Sequence, residues 1–208
     1  MTLAATLQLV APAPADAAEL LAFELANRSF FEAWINARSE AYYSLDAVAA
    51  AIEQAGRERR ADNAYQFLVK VDGAIVGRVN LNAVTRRYFN RASLGYRMAE
   101  SAAGKGYASR AVALALRHGF EALGLWRVEA DVRAVNGGSL RVLERNGFQV
   151  YGKSARSMRM HGAWHDVLHL ELRRDGESES YEAIDALLPA SQRPAAEAHA
   201  DRAASILI

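Results

Sequence analysis

The chain has 208 residues, 51% of them hydrophobic, and its 25 lysines and arginines nearly balance 24 acidic residues for a formal net charge of +1. That length allows one good-sized domain with a real core, or one domain plus a tail, and the charge balance argues against the clustered basic surface of an electrostatic nucleic-acid binder. With no cysteine there is no disulfide framework, thiol nucleophile or thiolate metal site. The opening residues, "MTLAATLQLVAPAPADAAEL", have neither a basic leader start nor an apolar run of about 18 residues. A soluble cytoplasmic protein is expected, with no membrane and no direct nucleic-acid partner.

In chain order, "TLQLVAP" alternates Leu7, Leu9 and Ala11 with other residues and ends at Pro12 and Pro14, which predicts a short first strand. Asp16 is placed to cap a helix running to about Leu25. After "NRSFFEAW" a second helix is predicted, with Ser44 and Asp46 as cap candidates and Val48 and Ile52 at helical spacing, through about Arg59. Asp72-Gly73 sits between two β-rich runs and supplies the positive φ angles of a tight hairpin turn. Tyr65–Val71 and Ala74–Val84 should therefore pair antiparallel. "RASLGYRM", Arg91 to Met98, is a fourth strand, and a helix follows from about Tyr107 to Leu123.

"WRVEADV" reads as a fifth strand, and "NGGSLRVLERNGF" as a short helix closed by Asn146-Gly147. "FQVYGKSARSMRM" and "AWHDVLHLELRR" are two last strands joined at Gly162. The order predicts a mixed α/β sheet. From Asp175 the composition shifts to Ala, Ser and Glu with little apolar periodicity, so residues 1–174 are read as the domain and 175–208 as an extension, mobile apart from a short helix at "YEAIDALL".

Between the fourth strand and its helix lies "AAGKGYASRA". A helix N-terminus carries amide hydrogens with no partner in the helix and a partial positive charge. Glycines there let an anion approach the backbone closely, and phosphate is the natural guest. An ordinary helix entry after a loop is the competing reading of the same ten residues.

The element order and three patterns together resemble the GNAT superfamily of acyl-CoA-dependent N-acetyltransferases, most of all the branch that acetylates the N-termini of ribosomal proteins. The patterns are "LQLVAPAPADAAEL", similar to the opening strand and helix of that branch; "LGYRMAESAAGKGYASRA", similar to its splayed fourth strand, pyrophosphate loop and helix; and "NGGSLRVLERNGF" with "GAWHDVLHLEL", similar to its Asn-x-x-Ser helix and last strand. The match spans about Leu7 to Arg173. It implies a mixed, mostly antiparallel central sheet with a splayed fourth strand, flanked by helices, and acetyl-CoA as co-substrate without a metal.

Carried over residue by residue, the resemblance assigns cofactor binding to the strand end at Tyr96, Arg97 and Met98, to the loop residues Gly104, Lys105, Gly106, Tyr107, Ala108 and Ser109, and to Asn136. Ser139 is the catalytic candidate, positioning or protonating the departing thiolate. Asn136 and Ser139 also fit plain capping, and Arg141 is placed to reach a phosphate or to face solvent. The superfamily loop usually opens with Gln or Arg where this chain has Ala103, which leaves the backbone amides and Lys105 to hold the phosphates. Many relatives carry glutamate at the place of Ser93, so no general base declares itself; Glu129 and a water chain are the alternatives.

His161, His165 and His169 are four apart, but on a strand such side chains lie more than about 10 Å from one another, and no metal site is expected. The acceptor is expected to be a protein or peptide N-terminal amine. A small amine such as an antibiotic or polyamine is the alternative, and a non-catalytic acyl-CoA-binding regulator a further one. The protein is expected to be a monomer or homodimer.

Overall fold

A computed structural model describes residues 5–174; the extension and its "YEAIDALL" segment lie outside the described residues. Seven strands make one sheet in the order β1-β2-β3-β4-β5-β7-β6. They are β1 (Leu7–Val10), β2 (Tyr65–Val71), β3 (Ala74–Thr85), β4 (Arg91–Met98), β5 (Arg127–Arg133), β6 (Gln149–Met160) and β7 (Ala163–Arg173). Every neighbouring pair is antiparallel except β4 with β5. The helices are α1 (Ala17–Ala26), α2 (Arg28–Glu32), α3 (Leu45–Arg60), α4 (Tyr107–Arg117) and α5 (Gly137–Arg145). This is the mixed, mostly antiparallel architecture that the resemblance implies.

The local chemistry explains the elements. Asp72 and Gly73 take φ of 50° and 88°, the paired left-handed residues that match the twist of a two-residue hairpin. Ser44 caps α3 by accepting the Ala47 N–H at 3.2 Å, and Val48, Ile52 and Ala55 form its buried stripe. On β4, Leu94, Tyr96 and Met98 belong to the core. Beside them pack Ala108, Ala111, Val112 and Ala115 of α4, small residues that let the helix lie close to the sheet.

Two predicted details differ. Asp16 occupies the N-cap position of α1 without capping it. Its carboxylate turns back to accept the Ala13 N–H at 2.8 Å and pairs with Lys70 Nζ of β2 at 2.8 Å, since a partly buried ion pair outcompetes a cap. The helix predicted to run to Leu123 keeps α geometry only to Arg117 and then widens into a π turn over His118–Ala122. The Leu123 N–H reaches back to His118 O, and Leu81 and Leu125 close over the buried Gly119 in that turn, their methyls 3.2 and 3.3 Å from where a Cβ would stand.

Candidate active site

The sheet opens in its middle. β4 and β5 pair at three positions, Arg91↔Arg127, Ala92↔Val128 and Ser93↔Glu129. Beyond them β4 stays with β3 up to Met98, while β5 stays with β7 up to Arg133. A wedge-shaped gap therefore begins at Leu94. The Ala99 N–H bonds Val76 O at 2.8 Å, and the β3–β4 register is regular from Met98 to Ser93. The alternation of an antiparallel ladder then turns the amides of Tyr96 and Met98 into the gap and those of Gly95 and Arg97 toward β3.

At the top of the gap β4 runs through a short 3-10 turn, Glu100–Ala102, into Ala103 and the glycine loop. Gly104 and Gly106 have φ of 69° and 75°, the left-handed region where a side chain carries strain. Gly106 is the N-cap of α4 and offers no capping side chain. The first helical bond is Arg110 N–H to Gly106 O at 3.2 Å, so the amides of Tyr107, Ala108 and Ser109 have no acceptor within the helix. Gly104, Lys105 and Gly106 are exposed, with open space where each glycine's Cβ would stand. Three amides, a positive dipole end and an exposed lysine make a seat of the right chemistry for a phosphate.

The far wall is the start of α5. Asn136 Oδ1 accepts the Ser139 N–H at 3.1 Å, so Asn136 is the helix cap, and both residues are buried. The Tyr96 hydroxyl donates to Ser139 O at 3.4 Å and ties β4 to α5 across the gap. Burial pushes the Tyr96 phenol far above its ordinary range, which keeps it a neutral donor.

The side chain of Arg97 leaves this face altogether. It passes to the other side of the sheet and hydrogen-bonds Glu24 Oε1 of α1. Arg78 reaches the same oxygen at 3.0 Å and Gln66 Oε1 at 2.7 Å, and the Tyr42 hydroxyl lies 3.4 Å from Glu24. Burial first, then the neighbouring Arg78, pulls the Arg97 pKa down to about 10 against the attraction of Glu24. Met98 is buried against Gly77, where a Cβ would stand 2.4 Å from its sulfur. The predicted strand-end residues thus meet the gap through backbone at Tyr96 and Met98, while Arg97 contributes a buried ion pair.

Glu129, weighed above as a base, is bound by both Arg91 and Arg127. His169 joins two other strands. Its Nδ1 lies 2.7 Å from Asp131 Oδ1 of β5, and its Nε2 lies 2.7 Å from Ser154 Oγ of β6. Sequence reasoning passed over Asp131, Ser154 and Glu24; the polar alternation Arg127, Glu129, Asp131, Arg133 signals only that this face of β5 is not core. Among the described residues no three His, Cys, Asp or Glu side chains converge as a metal site, and no helix is long and apolar enough to cross a membrane.

Residues 6–149 match the family model described as an acetyltransferase (GNAT) domain. The chain is 33% identical over 153 residues to a probable N-acetyltransferase, YjcK, of Bacillus subtilis, covering 73% of this chain and 84% of that one. Among solved structures, the ribosomal-protein-S5-alanine acetyltransferase of Vibrio fischeri superimposes with a TM-score of 0.78 at 25% identity, covering 83% of this chain and 97% of that one. Mycobacterium smegmatis RimJ, in complex with CoA-disulfide, does so with a TM-score of 0.77 at 28% identity, over 86% and 88% of the two chains.

Proposed function

The chain belongs to the GNAT acetyltransferase family, and on that premise we propose that it moves the acetyl group of acetyl-CoA to the N-terminal α-amine of a protein or peptide. The observation that carries the reading is the gap between β4 and β5, which runs from an open helix N-terminus to a buried Asn–Ser pair. In this reading the amides from Gly104 to Ser109 take the pyrophosphate, with Lys105 as the nearby cation. The Tyr96 and Met98 amides and Asn136 hold the pantetheine arm and polarise the thioester carbonyl, a preorganised donor set for the developing oxyanion. Ser139 serves the departing sulfur. The CoA compound bound by the RimJ relative supports this use of the gap.

Support for the acceptor comes from two sides. The Vibrio fischeri neighbour is a ribosomal-protein-S5-alanine acetyltransferase. Independently, attack needs a neutral amine, and an α-amine has an ordinary pKa of about 8 against about 10.4 for lysine. With Glu129 consumed by two arginines, an acceptor that is already partly neutral at pH 7 suits the site better than lysine. The test is thiol release from acetyl-CoA with a panel of alanine- and serine-starting peptides, spermidine and an aminoglycoside. Release with the peptides is expected; release with the small amines alone would replace the acceptor, and none at all would leave a binding protein.

A further inference from the structure

We propose that Asp131 is the subsite that receives the acceptor's ammonium group, held in place by His169 and Ser154. This rests on the acceptor reading above. Continuing the β4–β5 register past Ser93↔Glu129 would set Gly95 against Asp131, so on the face of Glu129 Asp131 is the first residue of β5 to border the gap where β4 leaves it, level with Gly95 and next to the amide of Tyr96. Val128, Ala130 and Val132 face the core with α4 and α5. Arg127, Glu129, Asp131 and Arg133 therefore face the other side, the side on which Arg97 meets α1 and Arg133 lies 5.4 Å from the Trp34 ring. A donor seated on the α4 loop reaches through the gap from one face, and an acceptor meets it from the other.

The carboxylates on that side are not equivalent. Among the described residues of β5 and β7 on that face, Glu129 is bound by Arg91 and Arg127, and Glu171 by Arg127 and Arg173. Among the described residues Asp131 has no arginine or lysine partner; it has the His169 imidazole, and its side chain is 64% exposed. A carboxylate accepts only, so His169 carries its proton on Nδ1 toward Asp131 Oδ1, and its Nε2 accepts from the Ser154 hydroxyl. The chain Ser154–His169–Asp131 spans three strands and fixes one carboxylate oxygen, leaving Oδ2 for a cation. A charge-assisted N–H···O bond to a preorganised carboxylate is the natural grip on an ammonium group.

The grip has a kinetic signature. An opposite charge favours the ammonium form, so bound amine loses its proton at higher pH than free amine. The charged and titratable groups around Asp131 are His169 on β7, Tyr151 on β6, Glu129, Arg127 and Arg133 on its own strand, and Arg97 on β4, turned away to Glu24. None of them replaces an ammonium partner for Oδ2.

The experiment compares wild type, Asp131→Asn, His169→Gln and His169→Leu in steady-state acetylation of an alanine-starting hexapeptide between pH 6 and 9.5. Asp131→Asn should raise the peptide KM by about ten-fold or more at pH 7, leave the acetyl-CoA KM unchanged, and move the rise of kcat to lower pH. His169→Leu should raise the peptide KM about three-fold, and His169→Gln, which keeps a donor to Asp131, should restore most of it. An unchanged peptide KM and an unmoved kcat profile in Asp131→Asn would overturn the subsite while leaving the acceptor reading standing. If spermidine is acetylated and the peptide is not, the acceptor reading fails, and the same shifts measured with spermidine support or overturn the subsite. Acetyl-CoA binding without turnover on any amine would overturn both.

Discussion

Gly106→Glu separates the phosphate seat from the fold. Gly106 has φ 75° and open space at its Cβ position, so the cost to the folded state is the left-handed strain of a side chain, about 1–2 kcal/mol, partly offset by about 0.3–1 kcal/mol because a carboxylate suits a helix N-terminus. For a protein of this size a net loss near 1 kcal/mol lowers Tm by about 2–4 °C. The cost to the ligand is larger. A carboxylate about 4 Å from one phosphate charge repels it by about 1 kcal/mol in bulk water and about 4 kcal/mol at the effective dielectric of a protein surface. The new side chain also competes for the amides of Ala108 and Ser109. An intermediate value of about 2.7 kcal/mol is a hundred-fold loss in acetyl-CoA affinity. Calorimetry with acetyl-CoA, beside a thermal melt, reads both numbers. Gly106→Ala, which brings the strain without the charge, should fall between. Wild-type affinity in Gly106→Glu, with Tm down by a few degrees, would refute the loop as the pyrophosphate seat.

Ser139→Ala should lower kcat by about ten-fold or more with acetyl-CoA affinity nearly intact; a loss of stability and affinity at an unchanged rate per bound enzyme would make Ser139 purely structural. Glu24→Gln leaves Arg78 and Arg97 buried without their carboxylate, a loss of about 3–5 kcal/mol, read as a Tm drop on the order of 10 °C; a drop under about 2 °C would show the network to be solvated. Burial first, and then Arg59, lowers the His118 pKa below its ordinary value. Between that lowered value and about 6.5 the unfolded chain binds the proton more readily, so stability falls on acidification through this window. The melting temperature of His118→Gln should be flatter there, and an identical pH dependence would remove His118 as the cause.

Strands and turns were legible where the signal is local. The Asp72-Gly73 turn, the Ser44 cap and the Asn136 cap each depend on atoms within a few residues, and each stands as the residue types dictate. The glycine loop was legible for the same reason: positive φ and missing side chains are properties of single residues. Asp16 was misread because its choice between a cap and Lys70 is made by a residue 54 positions away. Glu24 sits in an apolar helical stretch with nothing nearby to mark it as the anchor of two arginines from β3 and β4. The Ser154–His169–Asp131 chain needs β7 between β5 and β6, and its register places residues 15 and 38 positions apart in hydrogen-bond contact. Alternation told which residues leave the core but not which of them meet.

The most direct test of N-terminal acetyl transfer uses two peptides of one sequence, each with an internal lysine, one with a free alanine N-terminus and one with that terminus blocked. Mass spectrometry after incubation with enzyme and acetyl-CoA locates the acetyl group. The account predicts a single acetyl on the α-amine of the free peptide, at a rate that rises toward about pH 8, and no transfer to the blocked one. Acetylation of the lysine in the blocked peptide at an equal or greater rate would contradict it.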